Sequence, residues 1–272
     1  MEAPEAGEVY VFIGPSLPGF DAAVHGLVAC PPAKRGDVAA LLPRRPAAIA
    51  LVDGVFETAP SVWHKELLLA LEAGVPVFGA ASLGAIRAAE LHPFGMRGVG
   101  KVFDLYRSGA MTRDDAVMIR HGPAELSYVA TTVSLVDMVA TIDAARPALS
   151  PAEHRCLRAV AEALFFKDRT WDRLVALGVE RLGADAGPNL GERLARFRVS
   201  LKRQDVEALV GVLVGVLAGA PVGAPVGALA PQDRPPPSRD LEVPRTSFLR
   251  DMLASLDEDR PGPASDPHAG RG

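Results

Sequence analysis

The chain has 272 residues, 49% of them hydrophobic and 23% charged, with a formal net charge of −4 and a pI near 5.9. That suits a globular protein with ample length for a core, and its weak acidity excludes non-specific binding to nucleic acid or an anionic membrane, which asks for a basic face. Two cysteines, Cys30 and Cys156, are too few for a disulfide scaffold or a cysteine-built zinc site, and they fit a reducing cytoplasm.

Met1 to Glu8 is acidic and runs straight into a strand-like segment, with neither the basic nor the long apolar region of a secretory signal. From Val9 to about Ile119, short apolar runs alternate with helical patterns, the signature of βαβ units and a parallel sheet. The runs are Val9–Ile13, Ala48–Val52, Val75–Phe78 and Val117–Ile119, each nearly all apolar, as strands covered on both faces should be. Between them the patterning predicts helices over Asp37–Leu42, Ser61–Ala73 and Ser82–Leu91, the second carrying Val62, Leu67, Leu68 and Leu71 as its apolar stripe. The expectation is a Rossmann-like open α/β sheet of about four or more strands, flanked by helices.

Beyond Pro123 the strand signals fade, and helical runs follow over Thr131–Ala145, Ser150–Phe166, Thr170–Leu182 and Leu201–Leu217. Ser150-Pro151-Ala152-Glu153 is a capping box with proline at the first helical position. The uncharged stretch Ala208–Pro231 holds Pro221 and Pro225, and the helical part before Pro221 spans roughly 20 Å against a ~30 Å hydrocarbon core, so it reads as buried helix plus loop. Gly211, Gly215 and Gly219 give it a small-residue face suited to close helix packing. The expected organisation is an α/β core over 1–125, a helical region over 126–220, a Pro/Gly/Ala-rich linker over 221–246, a short helix over 247–257 and a disordered tail over 258–272.

In an open parallel sheet, ligands bind beyond the carboxyl ends of the strands. Here those ends run into Gly14-Pro15-Ser16, Asp53-Gly54-Val55-Phe56-Glu57, Gly79-Ala80-Ala81-Ser82-Leu83-Gly84 and Arg120-His121-Gly122-Pro123. The third loop resembles the nucleophile elbow G-x-S-x-G with alanine at its first glycine, so Ser82 either presents a hydroxyl beside the amides of a helix N-terminus or simply caps that helix. Ala81 and the lack of Lys-Ser/Thr after Gly84 exclude a dinucleotide fingerprint and a Walker A loop. Asp53 and Glu57 are candidates for an acid/base pair or, equally, a turn carboxylate and a solvated one. His64 is a candidate base or a surface residue. Arg87 and Glu90 form an i, i+3 ion pair or, for Arg87, reach an anion at the helix start. His121 joins the set if Val117–Ile119 is a strand. No metal-site spacing occurs, and no cofactor is expected.

The segments Val11–Leu17, Arg35-Gly36-Asp37, Val52–Glu57, Pro60–Glu66, Val77–Leu91, Phe94–Met96 and His121-Gly122-Pro123 resemble, in order, the core of the TfuA-like proteins, partners of YcaO enzymes in trifolitoxin-type and thioamide-containing peptide pathways. The likeness covers roughly residues 9 to 125. It implies a cytoplasmic helper of backbone thioamidation that hydrolyses a thiocarboxylated ubiquitin-like sulfur carrier and hands sulfide to the YcaO enzyme, meeting the precursor peptide only indirectly. Asp53, Glu57, His64 and His121 then compete as general base around Ser82, with Arg87 and Glu90 nearby, and Gly14, Ser16, Arg35, Asp37, Gly54, Gly79 and Gly84 are the binding candidates. A non-catalytic adaptor that docks on a YcaO enzyme and an α/β hydrolase of small molecules are the other two readings. Cys30 and Cys156 lack CxxC spacing and are not expected to carry sulfur.

Overall fold

The computed structural model describes residues 7–219, 242–244 and 246–258. Strands β1 (Val9–Phe12), β2 (Val28–Cys30), β3 (Ala48–Leu51), β4 (Val77–Ala80) and β5 (Arg97–Val99) form one parallel sheet in the order β2-β1-β3-β4-β5. The expected open α/β sheet is what the chain forms. Its three central strands are buried along their whole length, as their apolar runs require. The edge strands β2 and β5 are three residues each and partly exposed; β2 is all apolar, Val28-Ala29-Cys30, but too short to stand out, and β5 carries Arg97 and Gly98.

Val117–Ile119 is not a strand. A 3-10 turn at Asp114–Ala116 ends at Val117, and the place beside β4 is already filled by β5, so no sheet edge is open to it there. Val117 is buried all the same, and its carbonyl serves another purpose described below.

Alternate residues of the strands feed two apolar layers, as a period of two dictates. Phe12, Ile49, Leu51 and Val77 face helices α1 (Asp37–Leu41), α2 (His64–Glu72) and α3 (Leu83–Leu91), and that layer runs on into α4 (Lys101–Arg107), α5 (Leu135–Ala144), α6 (Pro151–Ala163), α7 (Trp171–Leu182) and α8 (Leu190–Ala195). The opposite residues, Val9, Val11, Ala48, Ala50, Phe78 and Ala80, are covered by Val206, Leu209, Val210 and Leu213 of α9 (Leu201–Leu217). The alanines on this face let α9 lie close, and its branched side chains fill the space. The last strand ends at Val99, but the sheet's core does not end there, because α9 returns to close the sheet's second face.

Gly211 of α9 is not on its packing face. A side chain added at Gly211 would meet nothing within 4 Å, while the valines and leucines two to three positions away point inward. The capping box stands as read: Ser150 Oγ accepts the Glu153 N–H at 3.2 Å and Glu153 Oε2 accepts the Ser150 N–H at 2.7 Å. Helix α10 (Ser247–Glu258) lies against α2 through Leu249, Met252 and Leu253 on Leu68 and Leu69, with Lys65 Nζ donating to Thr246 Oγ1 at 3.0 Å. The expected linker, except 242–244 and 246, and the expected tail beyond 258 lie outside the described residues.

The two faces of α9 give opposite expectations. Leu209→Ala, on the sheet side, should cost about 2–5 kcal/mol through the cavity it leaves. Gly211→Ala, on the open side, should gain up to ~1 kcal/mol from helix propensity. Denaturant melts of the two variants check both signs.

Candidate functional site

The strand order reverses direction of build between β1 and β3, and such a switch point is where an open parallel sheet leaves a crevice at its carboxyl edge. Asp53 follows β3 there and is 2% exposed. Its Oδ2 accepts the N–H groups of Gly14 and Ser16, each at 2.9 Å, and its Oδ1 accepts the Ser16 hydroxyl at 2.6 Å. The Asp53 backbone continues the tie, donating to the Phe12 carbonyl and accepting from the Ala33 N–H. Gly14, Ser16 and Asp53 are thus brought together as the edge rule predicted. Asp53 is bound by three donors, and Glu57 is not beside it: its carboxylate is half-exposed and pairs with Lys167 Nζ at 2.9 Å. Of the two readings of Asp53 and Glu57, the structure gives the one with Glu57 apart and half-solvated, on Lys167.

At the end of β4 the backbone is strained. Ser82 N–H donates to the Ala80 carbonyl at 2.7 Å, which makes Ala81 the centre of a γ-turn, and Ala81 carries φ 64° with its side chain fully buried. Ser82 follows in an extended but irregular conformation, φ −124° and ψ −127°, and its hydroxyl makes no capping hydrogen bond to α3. The capping alternative is not realised. The helix N-terminus is less open than the elbow analogy suggests, however, because Gly84 N–H donates to the Val52 carbonyl at 3.1 Å and Ala85 N–H to the Ser82 carbonyl at 3.0 Å. Gly84, Gly79 and Gly54 are sites of close packing: a Cβ on Gly84 would overlap the Leu51 carbonyl, one on Gly79 the Gly84 carbonyl, and one on Gly54 the Leu83 side chain. Backbone meets protein at these three glycines.

His64, Arg87 and Glu90 form a separate cluster between α2 and α3. Glu90 Oε2 lies 2.7 Å from both His64 Nε2 and Arg87 Nη1, and Arg87 Nε also donates to the Val62 carbonyl at 3.4 Å. Burial pushes the Glu90 carboxyl up, but its hydrogen bonds with His64 and Arg87 outweigh this and hold it below the usual range. Arg35 lies over the Trp63 ring at 5.4 Å, and Asp37 Oδ2 accepts the Lys34 N–H at 2.9 Å, so both shape the loop into α1.

His121 is exposed. Its Nδ1 sits 2.7 Å from the Gly122 carbonyl, which can only accept, so Nδ1 is the donor of that pair. The ring meets Tyr128 edge-on at 5.6 Å, and Tyr128 in turn lies against Gly14, where an added Cβ would come within 3.3 Å of it. His121 therefore reaches the β1 end through Tyr128, without the strand that was expected to carry it. Ser127 and Tyr128 both have positive φ, 51° and 55°.

The sequence reading missed the charged residues that α9 brings to this edge. Lys202 is 3% exposed and donates to the Val117 carbonyl at 3.0 Å, while Asp137 Oδ1 accepts its backbone N–H at 3.1 Å. Asp205 is 2% exposed and accepts the N–H groups of Lys101 and Val102, both at 2.8 Å. Their signal is present in the sequence: Lys202 and Asp205 share a helix face with Val206, Leu209 and Leu213, which places two charges on a buried stripe. Burial pushes the Asp205 carboxyl up to about 7 against its two backbone donors, raises Asp137, and lowers the Lys202 ammonium, which Asp53 and Asp137 hold back up. Glu66, also fully buried, accepts the Trp63 N–H at 3.1 Å and is likewise raised by burial. Burial raises the Cys30 thiol, which disfavours its thiolate. Among the described residues no group of three or more His, Cys, Asp or Glu side chains is placed to hold a metal, and no helix is long and apolar enough to cross a membrane.

Fold and edge together define an open parallel α/β protein whose polar residues gather where β1 and β3 diverge. A family model described as TfuA-like protein matches residues 53–170, which include Asp53, Ser82 and His121. The resemblance read from the motifs over roughly residues 9–125 is borne out from residue 53 onward, where the match lies. A search of curated proteins finds no match to the chain.

The raised Asp205 sets a pH dependence. Its folded pKa of about 7 lies above its ordinary value of 3.8, so the folded state holds the proton more tightly, and the stability this contributes is complete below the ordinary value and lost as pH rises through 7. Between pH 8 and 5 the melting temperature of the wild type should therefore rise relative to that of Asp205→Asn. A difference that is flat over this range, measured by thermal denaturation, contradicts the assignment.

Proposed function

We propose that this chain is an accessory protein of YcaO-dependent thioamidation of peptide backbones, that it works in the cytoplasm, and that it releases sulfide from a thiocarboxylated ubiquitin-like carrier for the YcaO enzyme. The TfuA-like region supports the pathway, and one observation supports a catalytic role within it: the strained γ-turn at Ala81, which leaves Ser82 uncapped at the carboxyl edge of the sheet. Strain of this kind costs about 1–3 kcal/mol, and its usual place is a site of function.

The reaction adds water to a thiocarboxylate, breaks the carbon–sulfur bond, and yields a carboxylate and hydrogen sulfide. Attack on the carbonyl carbon builds an oxyanion. Leu83 N–H, the first amide of α3, has no partner among the described residues and suits that oxyanion. The Ser82 hydroxyl is the candidate nucleophile, or the group that orients the attacking water. His121 is the candidate base of the four considered, because Asp53 is engaged by three donors, Glu57 by Lys167 and His64 by Glu90. Asp53 acts by holding the Gly14–Ser16 loop against β3.

A second reading has an observation of its own. Leu126 and Val129 are 62% and 57% exposed on the same loop as His121 and Tyr128, which suits an adaptor that docks on the YcaO enzyme beside this edge.

Sulfide release from the purified thiocarboxylated carrier, assayed without the YcaO enzyme, separates the two. If the chain is a hydrolase, Ser82→Ala should keep the wild-type fold and lose ~10²–10³-fold in rate, with a comparable loss in His121→Ala. Near wild-type turnover in Ser82→Ala, or no turnover in the wild type, favours the adaptor.

A further inference from the structure

The groups that a substrate would have to reach are shut in. Ser82 is 3% exposed and Ser16 7%, and Gly14, whose N–H donates to Asp53, is buried with them. Close packing fixes much of what surrounds them: β4 and α3 meet backbone to backbone at Gly79 and Gly84, and α9 is tied to the start of α4 through both oxygens of Asp205. A further side of the edge is formed by the chain around Tyr128, whose ring lies on Gly14, where an added Cβ would come within 3.3 Å of it.

That chain is pinned at both ends and open to solvent between them. At one end the Val117 carbonyl accepts from Lys202 Nζ and the Asp115 carbonyl from Arg169, each at 3.0 Å. At the other the Val133 N–H donates to the Arg169 carbonyl at 2.8 Å, and Thr132 and Ser134 are buried. Every residue from Met118 to Thr131 is at least partly exposed. The loop has its own fastenings at the neck, Gly122 N–H to the Val129 carbonyl at 2.9 Å and Thr131 N–H to the Arg120 carbonyl at 2.8 Å, so it can move as one piece in the manner of an Ω-loop. It meets the sheet edge through the Tyr128 ring, and Tyr128 holds a φ of 55° that a bulky residue rarely adopts. Backbone strain thus opposes the contact that keeps the loop down, and such opposition leaves two positions close in energy.

We propose that residues 118–131 are a lid: hinged at the pinned segments and latched by Tyr128 on Gly14, it opens to admit an acyl terminus to the sheet edge and closes again for the reaction. The assignment rests on reading Ser82 as the group that substrate must reach, and it deepens that reading by giving a buried site its entrance. The closed position is the resting one, and it already sets His121 edge-on to Tyr128. Lids of this kind shelter the reacting groups and complete the catalytic arrangement on closing.

The test reads access to position 82 in the full chain and needs no sulfur carrier. In Ser82→Cys, methyl methanethiosulfonate should modify the introduced thiol roughly ten- to a thousandfold more slowly than it modifies glutathione, as an open state populated at about 0.1–10% implies; peptide mapping separates this thiol from Cys30 and Cys156. The rate should stay flat over the first ~1 M urea, because opening one loop exposes little surface, whereas modification through global unfolding rises steeply with urea. Adding Tyr128→Ala should speed modification by about tenfold with the flat urea response kept, and Tyr128→Phe, which keeps the ring, should not. A rate equal to that of glutathione, a rate that follows the urea slope of global unfolding, or no effect of Tyr128→Ala overturns the lid. Should Ser82→Cys fail to fold, hydrogen exchange of the Gly14 and Ser16 amides replaces it: about tenfold faster exchange in Tyr128→Ala than in the wild type supports the lid, and unchanged exchange overturns it. Sulfide release is read separately: gated modification in a chain whose wild type releases no sulfide refutes the hydrolase and supports the lid, and sulfide release with ungated modification does the reverse.

Discussion

The Asp53 carboxylate is the constraint on which the edge of this sheet depends. Adjacent parallel strands part at a switch point, and their loops leave in opposite directions with unsatisfied amides. Asp53 joins the two sides by taking two backbone N–H groups and a hydroxyl from the β1 loop onto the end of β3, while its own backbone bonds to Phe12 and Ala33. Burying a carboxylate is expensive unless donors converge on it. Three converge here, so the burial is tolerated and the crevice acquires a fixed floor. The same saturation makes Asp53 a structural tie between the β1 loop and β3.

The charged groups around that tie arrive from far along the chain. Helix α9 packs its valines and leucines on the Ala-rich face of the sheet, and this docking alone carries Lys202 and Asp205 to the carboxyl edge. The two charges then organise their surroundings. Asp205 caps the start of α4 with both oxygens, beside Gly100, whose φ of 95° lets the backbone lie against that carboxylate. Lys202 and Arg169 hold the 115–117 segment from two directions, one through the Val117 carbonyl and the other through Asp115. That segment leads directly to His121. The cover of the second sheet face and the furnishing of the site are thus one structural event.

This coupling explains what could be read in the sequence and what could not. Strands β1, β3 and β4 were legible because burial on both faces leaves an unbroken apolar run. Val117–Ile119 carries the same local pattern, yet its burial comes from the contacts of a turn, and a pattern of three residues cannot separate the two. Strands β2 and β5 were missed because each is only three residues long, and β5 is broken by Arg97 and Gly98. At the site, the gathering of Gly14, Ser16 and Asp53 followed from the sheet rule alone. The partners of Glu57 and His64 did not, since Lys167 and Glu90 come from other elements and spacing is silent about them. Lys202 lies about 150 residues beyond Asp53 in the chain, and only its position on an apolar helix face marked it.

Strain is distributed in this molecule in a way that points to the same edge. Arg45 has positive φ at the end of a 3-10 turn, a common and cheap helix terminator at the surface. Ser127 likewise ends the 3-10 turn Ala124–Leu126, whereas Ala81 and Tyr128 end no helix or turn of that kind. Ala81 is buried at the centre of a γ-turn, held by the close fit of Gly79 against Gly84, and Tyr128 rests on Gly14. Such conformations persist only where the surroundings over-determine them. Around Ala81 that determination comes from the backbone packing of β3, β4 and α3. At Tyr128 it comes from the neck of the 121–130 loop, where the Arg120 N–H donates to the Thr132 hydroxyl and the Arg120 carbonyl accepts the Thr131 N–H. Two separately enforced strains on either side of the Asp53 floor, one leaving Ser82 uncapped and the other setting His121 edge-on to Tyr128, are hard to account for by stability, which both reduce. They are accounted for if the fold is built to hold those two side chains in fixed places before a ligand arrives.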